Sequence, residues 1–293
     1  MNSIDKIIFG DNQFFGINHM SEKKALEQIE KFSSLESITK VIDCAYDLGI
    51  RGFMLNTNER AESICNYWRE NKEKFSNLSV YPSLPYAHKY AKLVNEKGIF
   101  NSLTEIVLSN KSYKEIFGFL TKGGLSIFER NAIRAMEILI DIEMNIFRNL
   151  DIKIVFLQNI VTDLLLGLKV KEPFQAYHEY IVKKYNCKPG FNTMNLPKLV
   201  EFLFECGIEN PVVCSSINKA GYFMNPDKQS YEKIISEKPF VPIAMSILAS
   251  GAINAKEAVE YVCKMKNIKS IVFGASSKKN ILETKSLIES YWK

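Results

Sequence analysis

The chain has 293 residues, of which 46% are hydrophobic and 24% are charged, and its formal net charge is +5. This is an ordinary globular composition that can bury one large core. The positive charges form no run longer than a lysine pair, which argues against the clustered basic face that nucleic-acid binding requires.

Six cysteines lie far apart, with no C-x-x-C pair and no histidine nearby at zinc spacing. They are expected to be free thiols in a reducing cytoplasm. The early apolar run IIFG is too short for a signal peptide, and nothing approaches the roughly 20 apolar residues of a membrane span. We therefore expect a cytoplasmic protein without a membrane or nucleic-acid partner.

Apolar runs that predict strands alternate with helical patterns along the whole chain. Alternating strands and helices with right-handed crossovers leave two architectures, an open doubly wound sheet or a closed barrel, and eight units favour closure. We predict a single (β/α)8 TIM-barrel domain over residues 1–293. Its predicted strands are residues 6–10, 52–55, 78–82, 153–157, 189–192, 211–215, 241–246 and 270–274.

A long segment separates the third predicted strand from the fourth, and it contains the helical pattern NAIRAMEILIDIEMNIFRNL. We predict a helical insertion here, at about residues 98–150. One interpretation places it over the C-terminal face as a lid or a subunit contact, through which an oligomer would form. The other interpretation is an enlarged third helix on the outer ring.

Polar residues follow the first three predicted strands, where the reactive side chains of a barrel lie. Asp11 follows the first strand, and its alternative role is to cap a helix or a hairpin. Glu59 and Arg60 follow the second strand; the helix dipole also explains Glu59, and Arg60 is either an anion clamp or a surface residue. Tyr86 and His88 follow the third strand and are candidates for proton transfer, although His88 also fits a solvent-facing helix start.

The last two predicted strands end in small and polar residues that open into helices, in VPIAMSILASGA and SIVFGASSKKNILE. In the second of these, backbone N–H groups and a helix N-terminus would hold a phosphate, and the lysines would add positive charge. The residues concerned are Gly274, Ala275, Ser276, Ser277, Lys278, Lys279 and Asn280.

These two segments resemble the seventh and eighth strands of the aldo-keto reductases, whose A-x-S-x-L-x-x-G and G-A-S patterns cradle a nicotinamide dinucleotide. The segment DLGIRGFMLNTNERAESI also resembles the G-I-x-x-F-D-T-A signature of that family. The resemblance implies NADP(H) or NAD(H) as cofactor and a small carbonyl or sugar-like substrate. Besides the eighth-strand residues above, it implies cofactor contacts from Asn192, Ser215, Ser246 and Gly251.

The catalytic tetrad of that family, an Asp, a Tyr, a Lys and a His, is not retained. Asn56 stands at the Asp position and Gln158 at the His position, and both are candidate catalytic residues here. The Tyr position falls beside Arg60, and the Lys position falls near Ser83. A reductase of this sequence needs a substituted proton donor.

Three functions remain open from the sequence. The first is a dinucleotide-dependent oxidoreductase, and the second is a lyase, isomerase or epimerase that acts on a phosphorylated or nucleotide-containing substrate. The third is a catalytically silent barrel that serves in binding or assembly. No metal site is predicted, because His19, His88 and His178 share no metal-binding spacing.

Overall fold

The computed structural model describes residues 4–16, 22–86 and 125–292, and eight parallel strands within them close into a barrel. Each strand pairs with the next along the chain, and β8 pairs with β1. The predicted (β/α)8 fold is therefore confirmed. The strands are β1 Ile7–Phe9, β2 Gly52–Asn56, β3 Ser79–Leu84, β4 Ile154–Leu157, β5 Lys188–Thr193, β6 Val212–Ser216, β7 Val241–Met245 and β8 Ser270–Phe273.

Helices surround the barrel, and two of them, α1 and α2, lie between β1 and β2. The α-helices of the described residues are α1 Glu22–Lys31, α2 Leu35–Asp47, α3 Ala61–Glu70, α4 Leu125–Met144, α5 Asn159–Leu168, α6 Glu172–Tyr180, α7 Leu196–Glu205, α8 Lys228–Glu237, α9 Ala255–Cys263 and α10 Lys278–Tyr291. Within the same ranges, no helix combines the length and the apolar character that a bilayer crossing requires.

Side-chain caps fix where several helices begin. Asp227 accepts a hydrogen bond from the Ser230 N–H at 2.8 Å, and Asn254 accepts one from the Glu257 N–H at 2.9 Å. Ser277 caps α10 in the same way. Because the first N–H groups of a helix have no partner within it, these side chains determine its starting residue.

Side chains alternate between the interior of the barrel and the layer under the helices, as the two-residue period of a strand requires. Gly190 shows how tightly the interior is filled, since a Cβ atom there would lie 2.6 Å from the ring of Phe156. The interior residues are Ile8, Met54, Tyr81, Ile154, Phe156, Val212, Cys214, Ile243 and Val272. Ligand space is therefore restricted to the ends of the strands.

The helical pattern predicted between β3 and β4 is confirmed as α4, whereas residues 87–124 lie outside the described residues. The Asp141 carboxylate of α4 accepts a hydrogen bond from the Tyr180 hydroxyl of α6 at 2.7 Å. Glu143, near the C-terminus of α4, is buried and accepts hydrogen bonds from the Thr57 hydroxyl and the Tyr86 N–H. This end of α4 thus packs on the outer ring, as in the second interpretation of the insertion.

Candidate functional site

A cavity of about 990 Å³ opens at the C-terminal ends of the strands. Its wall includes the ends of β1 to β5, the loops that follow β6, β7 and β8, and one face of α1. This volume lies at the upper end of the range for small-molecule and cofactor sites.

The cavity brings together residues that the sequence singled out at seven different places. These places are the C-terminal ends of β1 to β5, β7 and β8. The residues include members of both the predicted catalytic set and the predicted cofactor-binding set. The predicted residues that line the wall are Asp11, Asn56, Tyr86, Gln158, Asn192, Ser246, Gly251, Gly274, Ala275, Ser276 and Asn280.

Other predicted residues lie outside the wall. Glu59 is exposed. The Arg60 guanidinium donates hydrogen bonds to the backbone oxygens of Phe32 and Ser33 and so stabilises the turn between α1 and α2. The Ser215 hydroxyl donates to the Thr193 carbonyl oxygen at 2.7 Å, in the layer under the helices. His88 lies outside the described residues.

The positive charge near the loop after β8 does not come from the predicted residues. Lys278 and Lys279 are exposed and do not line the cavity, because the first turn of α10 directs them elsewhere. The basic residue in the wall is Lys31 of α1, whose Nζ donates to the Ser276 carbonyl oxygen at 2.8 Å. Ser277 serves as the cap of α10, accepting from the Asn280 N–H.

Asp11 is the most buried acid in the wall, with 4% of its surface exposed. Its carboxylate accepts hydrogen bonds from the Asn56 N–H and the Asn56 side-chain amide, both at 2.8 Å. Burial raises the pKa of Asp11 to about 6, although the hydrogen bonds from Asn56 partly oppose this effect. A carboxyl group of this kind exchanges its proton close to physiological pH.

Tyr86, which follows β3, lines the same cavity. Burial raises the pKa of its phenol, and the negative charges of Asp11 and Glu59 add to the effect. The phenol therefore keeps its proton near neutral pH. Its backbone N–H donates to the Glu143 carboxylate at 3.0 Å, which fixes the start of the loop.

Unpaired polar atoms concentrate at this cavity. In the described part of the chain, five buried side-chain nitrogen or oxygen atoms have no hydrogen-bond partner, and three of them belong to the wall residues Gln28, Asn192 and Tyr222. Asn192 is 5% exposed; its amide donates to the Ser83 hydroxyl at 3.0 Å, whereas its oxygen has no partner. Such atoms cost about 1–3 kcal/mol each, and a polar ligand would satisfy them.

The loop after β7 holds several residues in the left-handed region of backbone conformation. Ser246, Ala249 and Ser250 have φ values of 54°, 46° and 56°, and Gly251 has a φ of 88°. Non-glycine residues in this region are strained, and such strain clusters at ligand sites. Three of these four residues line the cavity.

No protein-family model and no curated protein sequence matches the chain. Solved structures do match. An aldo-keto reductase of the silkworm Bombyx mori aligns with a TM-score of 0.56 and 10% identity, over 99% of this chain and 84% of its own. An aldo-keto reductase from a Medee basin deep-sea metagenome library aligns with a TM-score of 0.57 and 10% identity, over 99% and 91% of the two chains.

The chain has the aldo-keto reductase fold. At 10% identity the likeness concerns the fold alone. The predicted resemblance to this family is thereby confirmed at the level of architecture.

Several wall residues are not predicted from the sequence, among them Gln28, Lys31 and Tyr222. Tyr222 had a usable signal, because it follows a predicted strand on the working face of the barrel. Gln28 and Lys31 had none, since they belong to α1, an additional helix whose position over the loop after β8 depends on distant contacts.

Proposed function

We propose that this barrel is an oxidoreductase that uses NAD(P)(H) and acts on a small carbonyl or sugar-like substrate. The observation that carries the proposal is the distribution of the three unpaired polar atoms. Asn192 lies at the end of β5, Tyr222 in the loop after β6, and Gln28 on α1, so the three atoms belong to three different elements of the cavity wall. A long ligand with polar groups at both ends would satisfy all three.

The wall residues fit a nicotinamide dinucleotide in this orientation. The unpaired Asn192 oxygen would accept a hydrogen bond from the nicotinamide carboxamide. The rings of Tyr222 and Phe223 have centroids 4.2 Å apart and planes inclined at 40°, and they would offer an edge of aromatic surface to a ring of the cofactor. The strained loop at Ser246–Gly251 and the small residues Ala275 and Ser276 would lie beside the phosphates, whereas the Gln13 side chain occupies the space over Gly274. When bound, the cofactor supplies hydride transfer.

The protein's own contribution is the handling of the proton. A carbonyl that accepts hydride also needs a proton on its oxygen, and Asp11 and Tyr86 are the groups placed to provide it. Tyr86 stays protonated near neutral pH, and Asp11, with a pKa of about 6, exchanges a proton readily. Asn56 holds the Asp11 carboxyl group at the end of β2.

The proposal is tested by calorimetric titration of the purified protein with NADH, NADPH and their oxidised forms. We expect saturable binding with one site per chain. Asn192→Ala should weaken it about tenfold, because one hydrogen bond in a shielded site is worth about 0.5–1.5 kcal/mol. Asn77→Ala is the matched control, since Asn77 is exposed and outside the wall. Equal affinity in both variants would contradict the assignment of Asn192.

A second candidate function, proton transfer on a phosphorylated substrate by an isomerase, epimerase or lyase, is favoured by one observation. Asp11 and Tyr86 both line the cavity, and acid–base chemistry by these two groups needs no cofactor. Absence of dinucleotide binding, together with binding of a simple phosphate ester such as ribose 5-phosphate, would select this function. If neither ligand binds, the catalytically silent barrel is the remaining hypothesis.

We also propose a cytoplasmic location, which the six free cysteines support because disulfides are rare in that compartment. An oligomer formed through residues 98–150 stays a prediction, since residues 87–124 lie outside the described part of the chain.

A further inference from the structure

The outer end of the cavity lies where α1 crosses the loop after β8. The Lys31 amino group connects α1 to this loop by donating a hydrogen bond to the Ser276 carbonyl oxygen. In the proposed function the nicotinamide lies at Asn192 and the phosphates lie beside the loops after β7 and β8. The adenosine ribose must then lie at this outer end, so the inference below rests on the proposed function.

The charges at this end are unfavourable for an additional phosphate. Among the described residues that line the cavity, Lys31 is the one basic side chain, and it is already hydrogen-bonded to Ser276. Two carboxylates also line the cavity, Glu27 on α1 and Glu283 on α10, the helix that follows the loop after β8. A phosphate on the ribose would bring up to two further negative charges close to them.

The hydrogen-bonding groups at this end are mainly acceptors. The Gln28 side-chain oxygen is buried without a partner, and the Glu27 and Glu283 carboxylates can only accept while ionised. A ribose 2′-hydroxyl can donate to any of them, as it does to the acidic residue of NAD-binding sites on other folds. A fully ionised 2′-phosphate has no proton to donate.

We propose that the site discriminates between the two dinucleotides in favour of NAD(H) over NADP(H), and that Glu27, Gln28 and Glu283 are the residues that discriminate. The expected preference is at least tenfold in Kd, because the phosphorylated form meets like charges and leaves the Gln28 oxygen unpaired.

The experiment compares the Kd of NADH with that of NADPH by calorimetry, at one ionic strength, for the wild type and two variants. In the double variant Glu27→Gln/Glu283→Gln, the ratio of the two constants should fall at least threefold toward unity. Glu201→Gln makes the same chemical change on an exposed helix position outside the wall and should leave the ratio unchanged. Thermal melts of each variant check that the fold is retained.

Failure of this inference can be told apart from failure of the proposed function. If NADPH binds the wild type as tightly as NADH or more tightly, the preference is wrong while the dinucleotide function stands. A preference for NADH that the double variant keeps in full would overturn the assignment to Glu27 and Glu283. If neither dinucleotide binds, the proposed function and this inference both fall.

Discussion

Asp11 is a carboxyl group at a position that disfavours its charge, and this should be visible in the stability of the protein. Its pKa in the folded state is about 6, against an ordinary value of 3.8. Below the ordinary value the group is protonated in both states. As pH rises from about 4 to 6, the unfolded chain loses the proton first, so the folded state binds more protons and stability falls with pH.

We therefore predict that Asp11→Asn changes stability in a pH-dependent way. Above pH 6 the ionised Asp11 costs the wild type about 3 kcal/mol relative to its protonated form, from a shift of about 2 pKa units. The unfolding free energy of the variant minus that of the wild type should therefore increase by about this amount between pH 4 and pH 7. Urea unfolding across this range measures it, and a difference that is independent of pH would contradict the raised pKa.

At the scale of elements, the caps at the helix starts show how local sequence determines structure. Asp227 begins α8 by accepting from the Ser230 N–H at 2.8 Å and the Ser230 hydroxyl at 3.1 Å. We predict that Asp227→Ala lowers the unfolding free energy by about 1 kcal/mol, as the loss of a helix cap usually does. Asp227→Asn keeps an acceptor and should cost clearly less. Equal losses in the two variants would show that the cap hydrogen bond is not the cause.

The strands could be predicted from sequence because each is a buried apolar run that ends in small or polar residues. The observed boundaries differ from the predicted ones by a few residues, for example at β6. The predicted strand ended at Ser215, whereas the observed strand includes Ser216. Since neighbouring residues in a strand face opposite sides, the predicted cofactor residue Ser215 lies in the helix layer rather than at the cavity.

At the scale of the whole molecule, the cavity combines parts that lie far apart in the chain. The hydrogen bond from Lys31 to Ser276 joins residues 245 positions apart. Periodicity and motif spacing describe neighbours along the chain, so they predicted a loop of small residues after β8 but assigned its positive charge to the adjacent Lys278 and Lys279. The cation that tertiary structure brings there comes from α1. Fold was thus more predictable than the composition of the site.

Because a shared fold does not imply a shared activity, we make a separate prediction about catalysis. The chain has the barrel of the aldo-keto reductases, yet Asn56 and Gln158 line the cavity where an Asp and a His are expected from the resemblance. Asn56 instead donates to Asp11, and the proton donors of the proposed function, Asp11 and Tyr86, follow other strands than the Tyr position of the tetrad. We therefore expect little or no oxidation of NADH or NADPH with simple aldehydes, which have no further groups to hold their carbonyl oxygen against Asp11 or Tyr86, because correctly placed proton donation alone contributes about 10²- to 10⁴-fold.

Cofactor absorbance in the presence of a panel of simple carbonyls measures this activity, with an authentic aldo-keto reductase as the positive control. Rapid turnover across the panel would show that Tyr86 and Asp11 replace the missing tetrad fully. In that case Tyr86→Phe should abolish most of the activity and leave dinucleotide affinity within about twofold, because the hydroxyl acts in proton transfer rather than in cofactor binding. Turnover confined to a narrow set of substrates would indicate that the altered mouth of the barrel, with Asp11 held by Asn56, selects the substrate.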